Sequence, residues 1–270
     1  MVHDAPPRRT ATLGTMRRRL RVSIAATVVT GLVLSGLALT IAKSPQERDQ
    51  IRAADNVAEA FHDHLDRYVA ESGPAVRRVH SRDTDGYPAL LKLLEERIAD
   101  APDLRSRGTT AYGRSHSDAY KQALGRRKLA LMPLVGLSTY LRARAIPSSR
   151  FVSAGRKLVK LSPESLLGKE PITTGRPLRE LVLPEFEKAR DRMKAQPAPD
   201  GSDLLLLDLN TYADDVIAMT EKGAKALDEG KPFFYDLGDR PDQLYQRLVT
   251  VESAIENDVS QKVEVFVAGQ

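Results

Sequence analysis

The longest apolar run of the chain covers residues 22–42, 21 residues without a charged side chain. A helix of this length extends about 30 Å, the thickness of a bilayer core. Six arginines precede the run, whereas the mixed sequence Glu47-Arg48-Asp49 follows it. Because basic residues stay on the cytoplasmic side, the pattern predicts a single-pass signal anchor in the cell membrane. Residues 1–21 are then a disordered, basic cytoplasmic tail, and residues 43–270 form an extracytoplasmic domain.

A cleaved signal peptide is the alternative interpretation of this segment. Thr40 and Ala42 would supply small residues before a cleavage site at Lys43. A secretory apolar region usually has about 7–15 residues, so the length favours an uncleaved anchor. Within the anchor, the small residues Thr27, Gly31 and Ser35 recur every four positions on one helix face. Such a face lets two spans approach closely, which predicts a homodimer as one oligomeric state.

The outer domain begins with the pattern of a long helix. Ser44-Pro45-Gln46-Glu47 has the form of a capping box. Apolar residues then follow at alternating steps of three and four, as in a coiled coil, and Gly73-Pro74 predicts the end of this helix. The residues of this seam are Ile51, Ala54, Ala58, Phe61, Leu65 and Tyr68.

The remaining pattern is also mainly helical. Further helices are predicted at 88–99, at 118–144 with an interruption at Pro133, at 184–194, from Ser202 to just before Gly230, and from about Asp239. The alternating residues 262–267 predict a strand or an extended end. Neither an internal repeat nor a strand–helix alternation is evident, so the sequence predicts an all-α protein: one transmembrane helix followed by an extracytoplasmic helical bundle.

Charge is unevenly distributed along the chain. The net charge of +5 lies entirely in residues 1–42, and residues 43–270 are neutral in sum. Within the outer domain, residues 101–160 hold 13 bases and 2 acids, whereas residues 200–270 hold 15 acids and 6 bases. The two regions either neutralise each other across a helix interface, or the basic one faces anionic lipid or an anionic cell-wall polymer. Nucleic acid is not an expected partner, because no recognition motif is present.

One apolar segment bears directly on this question. Residues 129–141 are apolar and are bracketed by basic side chains on both sides. Thirteen residues are too few to cross a bilayer, so a buried core helix is expected, with an interfacial segment on an anionic leaflet as the alternative. The candidate anion-binding residues are Arg126, Arg127, Lys128, Arg142 and Arg144.

Two groups of residues resemble sites of catalysis or metal binding only in part. Glu59 and His62, with Asp66 one turn on, have the Glu-x-x-His spacing of di-metal bundles, which need a second copy that this chain lacks. Ser115-His116-Ser117-Asp118 holds triad residue types without an oxyanion-hole motif. The absence of cysteine excludes disulfides and thiolate chemistry. We therefore expect no cofactor, no metal and no catalytic residue.

These observations favour a membrane-anchored interaction or scaffolding module of the cell envelope. A domain that binds anionic lipid or wall polymer is the first alternative, and a hydrolase or metalloenzyme with an unfamiliar site is the second.

Overall fold

A computed structural model describes residues 44–80, 84–104, 108–168 and 172–269. The predicted cytoplasmic tail and the predicted anchor at 22–42 lie outside these residues. None of the helices within the described ranges combines the length and the apolar character that a membrane span requires.

Every regular element in the described part of the chain is helical, which confirms the all-α prediction. The α-helices are α1 (Pro45–Val79), α2 (Tyr87–Ala99), α3 (Ala111–His116), α4 (Asp118–Tyr140), α5 (Ile146–Lys160), α6 (Pro163–Leu167), α7 (Leu183–Lys194), α8 (Asp203–Asp228) and α9 (Arg240–Ala268). A 3₁₀ turn at Thr84–Gly86 precedes α2, and π-helical turns at Leu141–Ala145 and Leu178–Val182 precede α5 and α7.

The start of α1 is confirmed, but its predicted end at Gly73-Pro74 is wrong. The Ser44 amide donates to Glu47 Oε2 at 2.7 Å, and the Glu47 amide donates to Ser44 Oγ at 3.3 Å, which completes the capping box. The helix then continues through Pro74 to Val79. Ala75 and Val76 are buried and extend the apolar seam by another turn. The free energy gained by burying these side chains offsets the loss of the backbone hydrogen bond that proline cannot form.

The strand expected at 262–267 is also wrong, because these residues form the last turns of α9. Val263 and Phe266 are buried together with Val259. Spacings of four and three place all three on one helix face, which continues the buried face of Leu244 and Leu248. The alternation of valine and charged residues is therefore a consequence of a helical face and not of a pleated strand.

The expected interruption of the helix at Pro133 is absent. The helix instead departs from regular α-helical geometry at Leu141, eight residues further on. At the π-turns, the Ile146 amide bonds to the Leu141 carbonyl and the Leu183 amide to the Leu178 carbonyl. Proline follows each of these amides, at positions 147 and 184. In a regular α-helix, the ring of each proline would clash with a carbonyl oxygen of the preceding turn. The wider π-turn relieves that clash. The two segments share the pattern Leu-Arg-x-x-x-Ile/Leu-Pro, a short local repeat that hydrophobic periodicity does not reveal.

The described residues form two compact units, 44–59 with 108–122, and 60–80 and 84–104 with 123–168 and 172–269. In the first unit, Thr110 Oγ1 accepts from the Gly113 amide at 3.0 Å and donates to Gln50 Oε1 at 2.9 Å. Ser117 Oγ accepts from the Tyr120 amide and donates to Asp55 Oδ1 at 2.6 Å. Ser117 thereby caps α4 and joins its start to α1.

The second unit contains the main core. Helix α5 packs against α7 and α9, and α7 packs against α8. Gly155 of α5 lies so close to α9 and α8 that a Cβ there would stand 2.7 Å from Leu248 Cδ2 and 3.3 Å from Leu209 Cδ1. Fully buried aromatic side chains fill the spaces between these helices. They are Phe151, Phe186 and Tyr212.

Candidate docking surface

Arg126 and Arg127, two of the candidate anion-binding residues, are engaged within their own unit. Arg126 Nη2 lies 2.9 Å from Asp66 Oδ1, and its Nη1 lies 3.0 Å from His62 Nδ1. Arg127 Nε donates to the Pro102 carbonyl at 2.8 Å. Both arginines therefore act as links to neighbouring segments of the domain.

The remaining three candidate bases differ among themselves. Arg142 forms an ion pair with Glu95, and Arg144 Nη1 lies 2.9 Å from Asp200 Oδ2. Lys128 is exposed and has no ionic partner among the described residues. The five bases thus do not converge on one site, although exposed ion pairs of this kind contribute only about 0–1 kcal/mol and can open.

The basic region 101–160 and the acidic region 200–270 meet mainly along α5 and α9. There Arg156 donates to both carboxylate oxygens of Glu252, and Tyr140 donates to Asp258. Five other acids of the second region pair with bases outside residues 101–160, and Asp258 also pairs with a lysine of its own helix. Those pairs are Asp208–Arg247, Asp214–Arg190, Asp215–Arg240, Asp228–Arg179, Glu229–Lys231 and Asp258–Lys262.

The apolar segment expected to be a core helix is buried on one face only. Leu134, Leu137 and Leu141 lie on the buried face of α4 and of the π-turn that follows it. On the opposite face, Leu129 is 64% exposed and Met132 is 62% exposed, and apolar side chains continue at positions 124 and 135, with the exposed Lys128 between them. A helical segment that is apolar around its whole circumference is normally covered on all sides. The described residues therefore leave a large part of α4 uncovered.

Two glycines lie within this uncovered face of α4. A Cβ at Gly125 or Gly136 would meet no atom within 4 Å. Glycine in a helix interior costs about 0.5–1 kcal/mol relative to alanine, and no neighbour in the described ranges requires it at either position. Small residues on an exposed apolar face allow another helix to approach closely.

A groove extends this surface towards the end of α9. Its volume is about 630 Å³, and its walls include Pro133, Gly136 and Tyr140 of α4 and Val265 of α9, which is 69% exposed. Burial, together with the hydrogen bond to Asp258, raises the pKa of Tyr140 well above its ordinary value, so its hydroxyl stays protonated as the donor. A lysine of α9 lies 4.6 Å from the centre of the Tyr140 ring and covers its face.

We define the docking surface as the exposed face of α4 formed by Leu124, Gly125, Leu129, Met132, Val135 and Gly136. The sequence indicates its apolar character but not its exposure, because 129–141 is equally apolar on both helix faces. The periodicity alone indicates that this segment lacks a polar outer face, which a core helix of a soluble domain usually has.

The other two groups singled out in the sequence are structural. In the described ranges no cluster of three His, Asp or Glu side chains could hold a metal ion, and His62 and Asp66 both face Arg126. Ser115 Oγ lies 2.9 Å from His116 Nδ1, but that nitrogen also lies 2.9 Å from the carbonyl of residue 112. Both contacts are local to one short helix, and the His116 ring stacks on the tyrosine at position 112.

Comparison with known proteins identifies no relative of this chain. Neither a family model, nor a curated protein, nor a solved structure matches it. Its function must therefore be inferred from the docking surface itself.

Proposed function

We propose that this protein is a single-pass, membrane-anchored scaffold of the cell envelope whose extracytoplasmic helical domain docks onto a second copy of itself. The docking surface on α4 carries this proposal. Large apolar side chains exposed on one helix face, with two exposed glycines among them, are typical of a face that another helix covers.

The arrangement of the docking surface favours a second copy as the occupant. Gly125 and Gly136 lie symmetrically on either side of a point between Leu129 and Met132. A two-fold axis through that point would place Gly125 of one copy opposite Gly136 of the other, and Leu129 opposite Met132. An isologous interface requires this kind of self-complementarity, in which one surface serves both copies. Two antiparallel α4 helices satisfy it for these two pairs, and the same axis places Val135 of one copy opposite Arg126 of the other.

The predicted anchor supports the same assembly. Its small residues Thr27, Gly31 and Ser35 share one helix face. If two anchors pair through this face, the two outer domains are held at a high effective concentration. A modest contact through α4 would then suffice to join them. The dimer would present two copies of every other surface of the domain to further envelope partners, which is what a scaffold does.

Cysteine cross-linking tests this proposal directly, because the natural chain contains no cysteine. We expect Met132→Cys in the full-length chain, oxidised in isolated membranes, to shift most of the protein to the mass of a dimer. Across the proposed two-fold axis, the Cα atoms of the two introduced cysteines are offset by only about 5 Å along the helix axis, a distance that a disulfide can bridge.

Ala218→Cys provides the matched control. Ala218 is also an exposed helical residue, but it lies on α8, outside the docking surface. Its cross-linking should stay at the level expected for random collision. Equal cross-linking of the two variants, or none of the Met132→Cys chain, would contradict the proposal.

A further inference from the structure

A second surface feature, separate from the docking surface, is a basic cavity between α5, α7 and α9. Its volume is about 560 Å³, and the 3₁₀ turn at Thr84–Gly86 closes one side. Four basic side chains line it, together with three acids and three hydroxyl groups. The basic residues are Arg156, Lys157, Lys160 and Arg192.

The three acids of the cavity, Asp85, Glu185 and Glu252, neutralise only part of this charge and leave one base in excess. Glu252 forms a bidentate ion pair with Arg156. The side chain of Glu252 is 17% exposed, and that of Arg156 is 27% exposed. Glu185 lies 3.7 Å from a lysine at position 188, which is outside the cavity. The other three bases, Lys157, Lys160 and Arg192, have no carboxylate within ion-pair distance among the described residues.

Two details indicate that the cavity is organised for a ligand. The Arg156 Nε is buried and has no acceptor in the described part of the chain. A buried donor without a partner costs about 1–3 kcal/mol, a cost that a shift of the Arg156 side chain towards a bound acceptor would recover. The Tyr245 ring lies 5.6 Å from Arg156 and 5.2 Å from Lys160, which holds both cations over one aromatic face.

The chemistry of the lining identifies a class of ligand. Three cations that lack an acidic partner in the described ranges surround one cavity, and they attract an anion with several oxygen atoms, such as a phosphate ester. Glu185 and the hydroxyls of Thr84 and Ser153 stand in the same lining and match the hydroxyl groups of a polyol. A fully anionic ligand without hydroxyls would leave Glu185 facing negative charge.

We propose that this cavity binds the phosphate of a phosphorylated polyol, with Lys157, Lys160 and Arg192 as the phosphate-binding residues. Such a group occurs both in free polyol phosphates and in glycerol-based lipid head groups. The proposal does not depend on the docking of two copies, because the cavity is formed by one chain.

The test uses full-length protein in neutral detergent, with sn-glycerol 3-phosphate as the soluble probe and mixed micelles of the same detergent with phosphatidylglycerol as the lipid probe. Calorimetric titration at low salt should show glycerol phosphate binding that glycerol itself does not reproduce. The double variant Lys157→Gln with Arg192→Gln should bind at least about tenfold more weakly, because two charge-assisted contacts are lost.

The matched control is Lys222→Gln with Lys225→Gln, which removes the same charge from exposed positions of α8. Its affinity should equal that of the natural chain, and unchanged melting curves should show that both double variants are folded. Binding in either the soluble or the lipid arm that only the cavity variant loses supports the proposal and identifies the source of the phosphate. Absence of binding in both arms at low salt, or equal losses in the two variants, would overturn it.

Discussion

Phe186→Ala is expected to lower the free energy of unfolding by about 3–5 kcal/mol. Phe186 lies on α7 and has no exposed surface. Helix α7 packs against both α5 and α8, so the lost ring would leave a cavity between three helices. Neighbouring side chains in a close-packed core relax only partly into such a space. Urea denaturation of the full-length chain, followed by circular dichroism, measures the change.

Phe234→Ala is the natural control for this prediction. Phe234 is 84% exposed, so the same substitution removes little buried area there. We expect a change of no more than about 0.5 kcal/mol. Equal effects of the two substitutions would show that α7 does not occupy the centre of the core described above.

The second large effect concerns association and not stability. Replacing both Gly125 and Gly136 by leucine is expected to prevent the docking of the two outer domains, and with it the disulfide formed by Met132→Cys, while leaving the fold at least as stable. Both positions are exposed helix-interior sites with free space around them, and leucine has a better helix propensity than glycine by roughly 0.8 kcal/mol per site. In the dimer, the added side chains would hold the two α4 helices apart. Oxidation of the Met132→Cys chain in membranes measures the docking, and denaturation measures the stability.

Gly155→Ala should show the opposite behaviour. A methyl group there would press on Leu248 and Leu209, so stability should fall. The docking surface is untouched, and the dimer should persist under native conditions. If the double leucine variant still formed the Met132→Cys disulfide at the level of the otherwise natural chain, the close approach of two α4 helices would be refuted.

Local signals predict the starts of α1, α2, α4, α7, α8 and α9 because the residues that set them are adjacent in sequence, whereas α3, α5 and α6 are absent from the sequence prediction. The capping box at Ser44 and Glu47 needs only a three-residue spacing, and both of its hydrogen bonds are present. Gly230, with a φ of 71°, terminates α8 as expected. Such features depend little on the rest of the fold.

The predictions fail where distant packing overrides a local preference. Gly73-Pro74 is a strong stop signal in isolation, but burial of the next two residues carries α1 beyond it. Residues 262–267 fit a strand by alternation and a helix by the spacing of Val259, Val263 and Phe266. Only the packing of the final helix decides between the two patterns.

The candidate anion-binding residues illustrate a second limit of sequence reasoning. Several of them, including Arg126, Arg142 and Arg144, flank one apolar run and therefore suggest one site. Their acidic partners come from three separate segments of the chain, and a single sequence gives no indication of these pairings. The partners are Asp66, Glu95 and Asp200. Likewise, the basic cavity joins residues of α5 and α7 that no sequence pattern connects.

The proposed docking of the domain onto a second copy of itself predicts a relative orientation for the α4 helices of two chains. This orientation is measured on chains in intact membranes. Two differently tagged full-length chains, one with Gln122→Cys and the other with Thr139→Cys, are co-expressed and oxidised. Antiparallel pairing about the proposed axis places position 122 of one copy opposite position 139 of the other. The two copies of position 139 stand roughly 25 Å apart along the helix.

We expect a strong disulfide between the two differently tagged chains and almost none between two Thr139→Cys chains. Efficient cross-linking between two Thr139→Cys chains, or no cross-linking in the mixed pair, would contradict the antiparallel docking of two copies through α4.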